Sequence, residues 1–124
     1  MYSRILVGTD GSATAARAVD RAVEVATVTG ASLTVLSAGK GDSGLKVAQQ
    51  EADRHRDSGV QIDARSSSKD PVSALIDTAE EGGYDLIVVG NKGMTGARRF
   101  IPIGAVPNKV IHHLPTAVLI VRTT

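Results

Sequence analysis

Short apolar runs alternate along this chain with longer stretches in which apolar residues recur every three or four positions. Ile5-Leu6-Val7 has the length of a strand and ends in Gly8-Thr9-Asp10-Gly11-Ser12, a turn-forming segment. Ser12 is placed to cap a helix whose face of Ala15, Ala18, Val19, Ala22, Val23 and Ala26 keeps a helical period. Gly30 is expected to close that helix. A second strand reads Leu33-Thr34-Val35-Leu36, and Gly39-Lys40-Gly41-Asp42-Ser43-Gly44 has the composition of a flexible connector. A polar helix is expected from about Leu45 to Arg56, stopped by Ser58-Gly59, with His55 on its solvated face. Val60 to Ala64 alternates as an edge strand does. Asp70 then caps a helix that tolerates Pro71 in its first turn and buries Val72, Leu75, Ile76 and Ala79. Asp85 to Gly90 is the clearest buried strand. A glycine-rich segment, Gly90 to Gly104, leads to a helix near Val106 to His112, and Ala117 to Val121 is the last strand.

Five strands alternating with four helices imply right-handed crossovers and a parallel sheet. Its strand-sized apolar runs are those of strands buried on both faces. A length of 124 residues fits one domain, 1–124. With one Phe, two Tyr and no Trp, the core must be built from Val, Ile, Leu and Ala. The scarcity of rings also argues against single-stranded nucleic acid, which stacks its bases on aromatic side chains.

Fourteen basic and thirteen acidic residues leave a net charge of +1, too little to draw DNA or an anionic membrane. Without cysteine there is no disulfide framework, thiolate metal site or thiol nucleophile. His112 and His113 suit the negative end of a helix, and no His–carboxylate spacing points to a metal. The first strand begins almost at once, with no secretory apolar stretch before it, and the run Ala117 to Val121 is too short to cross a bilayer. A cytoplasmic protein with no membrane partner is expected.

Several nucleotide and hydrolase motifs are absent. Gly39-Lys40 is followed by Gly41 rather than by Ser or Thr, so there is no Walker loop, and Gly8 to Gly11 lacks the dinucleotide fingerprint. No Gly-x-Ser-x-Gly elbow or His-Glu-x-x-His pair occurs. In an open parallel sheet, ligands bind beyond the carboxyl ends of the strands where the winding reverses. If strands one and four are neighbours, Gly8–Ser12 and Gly90–Gly104 meet there. Asp10 has the chemistry to bond ribose hydroxyls or help hold a metal, and equally to serve the turn or cap the helix. Gly90, Gly93, Gly96 and Gly104 can bring bare backbone amides close to phosphate oxygens, or merely serve turns. A helix opening near Gly104 would add its positive end, and Lys92, Arg98 and Arg99 would add countercharge.

The segment Gly90-Asn91-Lys92-Gly93-Met94-Thr95-Gly96-Ala97-Arg98-Arg99-Phe100, continuing through Gly104-Ala105-Val106-Pro107-Asn108-Lys109-Val110, resembles the signature of universal stress proteins. So do the opening Ile5 to Ser12 and the ending Pro115 to Val121, which extends the resemblance over essentially the whole chain. The expected fold class is therefore α/β: a doubly wound five-stranded parallel sheet of strand order 3-2-1-4-5 with helices on both faces. The resemblance implies an adenine-nucleotide site for ATP or AMP, with Mg2+ as a companion of ATP. Gly8, Thr9, Asp10 and the backbone at Ala38 would line the nucleoside side, and Gly90, Lys92, Gly93, Gly104 and Ala105 would surround the phosphates. It also implies a homodimer paired through strand 117–121, and no catalytic residue, with ATP hydrolysis slow at most.

The chain departs from the family's ATP-binding pattern of Gly, two residues, Gly, nine residues, Gly, then Ser or Thr. Ten residues, Met94 to Ile103, separate Gly93 from Gly104, Pro102 removes a backbone donor, and Ala105 stands where a hydroxyl is expected. One lost hydrogen bond to a charged phosphate costs about 1.5–3 kcal/mol, or about one to two decades of affinity. Ala38 is smaller than the valine usual there, and the connector after strand two is short. The alternative function is a dimeric stress-response scaffold that binds no nucleotide.

Overall fold

Ser12 opens the first helix as its position predicts. Its Oγ accepts from the Ala15 N–H, and the helix ends on Gly30 at φ 76°, whose N–H returns to the Ala26 carbonyl. The computed structural model describes residues 1–38, 41–91 and 116–122. Its elements are β1 (Arg4–Thr9), α1 (Ala13–Thr29), β2 (Ser32–Ala38), α2 (Gly41–Arg54), β3 (Ile62–Ser67), α3 (Pro71–Gly82), β4 (Leu86–Gly90) and β5 (Ala117–Val121). The five strands form one parallel sheet in the order β3-β2-β1-β4-β5. The helix expected near Val106–His112 lies outside the described residues.

Successive side chains of a strand leave opposite faces of the sheet. Ile5 and Val7 of β1 and Leu86 and Val88 of β4 therefore pack with Ala18, Val19 and Ala22 of α1 and Ala48 of α2. Leu6, Ile87 and Val89 instead pack with Ala74, Leu75, Ile76 and Ala79 of α3. The central strands are thus buried on both sides, and the two layers of helix cover the two faces. The six apolar residues read from the α1 pattern are the six that the helix buries. In α3, Asp70 caps the Ser73 N–H and Pro71 takes the first position, but Ala74 rather than Val72 completes the buried stripe.

Two boundaries differ from the sequence pattern. Gly41 to Gly44, read as connector, forms the first turn of α2, and the helix ends at Arg54. Tertiary contact outweighs the poor helix propensity of glycine here: Gly44, Ala48 and Ala52 recur every fourth residue and all are buried. The third strand runs Ile62–Ser67 rather than from Val60, because Arg65, Ser66 and Ser67 pair with Leu36, Ser37 and Ala38 through backbone alone. His55 is also not on a solvated helix face. It follows α2, is half-buried, and its Nε2 lies 2.9 Å from Asp20 Oδ1 of α1. Arg54 joins the same Asp20 at 2.9 Å and Glu51 at 2.7 Å, so α2 is tied to α1. Those two carboxylates raise the Arg54 pKa, with the Glu51 hydrogen bond the larger cause.

At the amino-terminal edge of the sheet, Asp85 accepts from the N–H groups of Ser3 (2.9 Å) and Arg4 (3.0 Å), which joins the start of β1 to the start of β4. Arg4 also stacks over the Tyr84 ring, 4.4 Å from its centroid, and donates to the Gly82 carbonyl.

Candidate functional site

From β1 the chain winds outward through β2 and β3, then returns past β1 to β4 and β5. The winding therefore reverses between β1 and β4. Their ladder runs Ile5–Leu86, Leu6–Ile87, Val7–Val88 and stops. Beyond it β1 follows β2 as far as the Thr9–Ser37 pair. β4 follows β5 to the Gly90–Val121 pair, where Asn91 N–H donates to the Val121 carbonyl at 2.9 Å. Each central strand leans on its outer neighbour past Val7 and Val88, leaving a crevice at the reversal point, where open α/β sheets take ligands.

The turn that forms one wall is held by its own side chains. Thr9 is buried, and its Oγ1 accepts from the Gly11 N–H at 3.0 Å. Asp10 Oδ1 accepts from the Ser12 N–H at 2.9 Å. Ser12 Oγ in turn accepts from the Ala15 N–H at 3.2 Å and shares a hydrogen bond with Thr14 Oγ1. Such local bonds preset the turn and start α1 directly beside the crevice. Gly11 has φ +82°, a conformation open to glycine at little cost.

Both neighbouring helices press on this turn. A Cβ added to Gly11 would stand 3.1 Å from Val47 Cγ1 of α2, and one added to Gly8 would stand 3.4 Å from Leu75 Cδ2 of α3. Sequence reasoning placed Gly8 and Gly11 in a turn but missed this close approach by α2. The spacing Gly44-Ala48-Ala52 was the available signal for a helix starting so near β2.

The structure brings five of the expected site residues to one edge. Gly8 and Thr9 end β1 and Asp10 follows it, Ala38 ends β2 and Gly90 ends β4. Lys92, Gly93, Gly104 and Ala105 lie outside the described residues, as do Gly96, Arg98 and Arg99. Asp10 fills the turn role that its position allowed. Among the described residues, no group of three His, Cys, Asp or Glu side chains is arranged to hold a metal. Nor, among them, is any helix long and apolar enough to cross a membrane.

Among the described residues, two cavities lie away from the crevice. One of about 410 Å³ sits at the amino-terminal end of the strands, between Thr27 and Gly30 of the α1 end and Ser58 and Gly59. Another of about 230 Å³ lies between β3 and α3, beside Arg65, Ser67 and Lys69. Near it, the Asp77 carboxylate raises the pKa of Lys69, and the Ser73 N–H lowers that of Asp70.

Residues 1–44 and 38–122 match the model of the universal stress protein family. The chain is 34% identical over 146 residues to a universal stress protein of Mycobacterium tuberculosis, covering 99% of this chain and 98% of that one. It is 28% identical over 149 residues to universal stress protein YxiE of Bacillus subtilis, covering 98% and 100%. Among solved structures, a universal stress protein in complex with cAMP superposes with a TM-score of 0.79 at 35% identity, covering 99% of this chain and 98% of that one. The Archaeoglobus fulgidus universal stress protein in complex with dAMP has a TM-score of 0.69 at 23% identity, covering 96% and 97%, a likeness of fold.

Proposed function

Because the chain belongs to the universal stress protein family, we propose that it binds an adenine nucleotide, ATP or AMP, at the carboxyl edge of β1, β2 and β4. Occupancy is then read out through dimer or partner contacts. The observation that carries this reading is the coincidence of two independent features. The winding reversal between β1 and β4 falls where Gly8 and Thr9 end β1, with Asp10 just beyond, and Gly90 ends β4, in segments that resemble the family's. A relative of the same fold in complex with cAMP supports the choice of ligand class.

In this reading Asp10 and the Ala38 backbone face the nucleoside, with Gly8 and Thr9 as backbone floor. Gly90, Lys92, Gly93, Gly104 and Ala105 surround the phosphates, and Mg2+ accompanies ATP. The β5 strand is an apolar sheet edge on which Ile120 is 38% exposed. Exposed apolar edges invite pairing, and a two-fold contact between copies of β5 buries it. The protein works as a cytoplasmic homodimer in this reading.

A second reading, a dimeric scaffold that binds no nucleotide, is favoured by the ten residues between Gly93 and Gly104 and by Ala105. Isothermal titration with ATP, with and without magnesium, then AMP and cyclic AMP, separates the two. Saturable binding at micromolar levels supports the nucleotide site, whereas no heat at millimolar nucleotide leaves the scaffold. Light scattering on the same samples gives a dimer, and a monomer at micromolar concentration overturns the pairing through β5.

A further inference from the structure

The β1–α1 turn is built from bonds that are individually weak. Thr9 Oγ1, Asp10 Oδ1 and Ser12 Oγ each accept a backbone N–H from a residue two or three positions ahead. One such hydrogen bond is worth about 0.5–1.5 kcal/mol net, because water offers the same groups an alternative. Gly11 adds freedom of its own, since it sits at φ +82° and glycine visits negative φ about as readily. Left to itself, a turn of this kind samples several shapes. The Asp10 carboxylate moves with them, because its Oδ1 is bonded to the Ser12 N–H within the turn.

The outside contacts on the turn differ between its two ends. Leu75 of α3 reaches Gly8, which is still in β1 and already held by the ladder to β2. Val47 of α2 reaches Gly11, where a Cβ would stand 3.1 Å from Val47 Cγ1 and 3.8 Å from Cγ2. Valine in a helix keeps one strongly preferred rotamer, so both methyls are aimed with little freedom. Among the described residues Val47 is half-buried and belongs to neither apolar cluster of the core. The helix that carries it is itself fixed. Gly44, Ala48 and Ala52 are buried along its length, and Arg54 and His55, about 10 Å further along, hold Asp20 of α1. Thus α2 is clamped at its far end and bears on the turn through a stiff side chain near its start.

We propose that Val47 is a positioning residue of the crevice, setting the Gly11 turn so that the Asp10 carboxylate is already presented to an arriving nucleoside. This rests on the reading of the crevice as a nucleotide site and assigns the residue that prepares one of its walls. A wall held in its binding conformation is not ordered again when the ligand arrives, and affinity gains by the entropy saved.

The test is calorimetric titration of the full chain with AMP, and with ATP and magnesium, beside hydrogen exchange of the Ser12 amide without nucleotide. Val47→Ala should weaken nucleotide binding at least tenfold and speed exchange of the Ser12 N–H at least tenfold. Val47→Thr restores the branched shape and should recover both. Val25→Ala removes a half-buried valine of α1 that packs on the core beyond the turn, and should lower stability while moving neither readout. Where Val47→Ala does not melt cooperatively, Val47→Met keeps apolar volume without the branch, and the same losses are expected of it. Unchanged affinity in a folded Val47→Ala or Val47→Met overturns the inference and leaves the nucleotide site standing, and equal weakening in Val25→Ala does the same. A wild-type chain that binds neither nucleotide removes both.

Discussion

The hydroxyl of Tyr84 lies 2.7 Å from Thr34 Oγ1, and both residues are buried. Thr34 also lies 2.6 Å from Asp63 Oδ1 and can only donate to that carboxylate. Its proton is thereby committed, so Tyr84 must be the donor of the pair. The direction matters for mutation. In Tyr84→Phe the Thr34–Asp63 bond survives, and the loss is about 1 kcal/mol. In Thr34→Val the Tyr84 hydroxyl is left buried without its acceptor, at about 1–3 kcal/mol. Urea unfolding of the two variants should therefore rank Thr34→Val as the more damaging change.

Gly11→Ala meets two obstacles that can be separated. The first is φ +82°, which strains any side-chain-bearing residue, and the second is Val47 Cγ1 at 3.1 Å from the new Cβ. A destabilisation of about 1–3 kcal/mol is expected. Adding Val47→Ala relieves the contact but not the backbone. The coupling measured in a double-mutant cycle should therefore be favourable yet smaller than the cost of Gly11→Ala alone. Complete rescue would mean that the backbone conformation carries no cost.

The cap of α3 sets an acid-range dependence. The Ser73 N–H donates to Asp70 Oδ1 at 3.1 Å and holds its carboxyl below the ordinary value of 3.8. A group whose pKa falls on folding binds fewer protons in the native state. Its contribution is therefore complete above pH 3.8 and is lost as the pH falls through the folded value. Asp70→Ala should cost about 1 kcal/mol at pH 7. Asp70→Asn, which keeps the acceptor without the titration, should sit near wild type there and lose less than wild type between pH 5 and pH 3. Urea melts across that range check the sign.

Much of this architecture was legible because apolar periodicity is a direct image of burial. The α1 stripe from Ala15 to Ala26, the cap at Ser12 and the stop at Gly30 all follow from side-chain size and backbone freedom. So does β4, whose unbroken Leu86 to Val89 is buried on both faces. What stayed hidden was decided by contact at a distance. Gly41–Gly44 has a loop's composition and becomes helical because α2 must lie close over the Gly11 turn. Arg65-Ser66-Ser67 has no strand pattern and is recruited by the backbone of β2. The meeting of Gly8–Asp10 with Gly90 at one edge followed from strand ends and the reversal rule, whereas Ala38 came only from the family resemblance, since the pattern ended the second strand at Leu36. The rest, Lys92, Gly93, Gly104 and Ala105, is carried by motif spacing alone and falls outside the described residues.

The carboxylate of Asp85 has a consequence for the order in which the molecule is made. It joins residues 82 and 81 positions apart, Ser3 and Arg4, across the central seam of the sheet. Contacts so remote in sequence carry a large loop-closure cost and form late. During synthesis β1, β2 and β3 with α1 and α2 can associate while β4 is still inside the ribosome. The crevice between β1 and β4 does not exist until the last third of the chain emerges. A nascent chain stalled before Asp85 would carry three strands of the sheet with β1 as an open edge, so the seam between β1 and β4 belongs only to chains synthesised past that point.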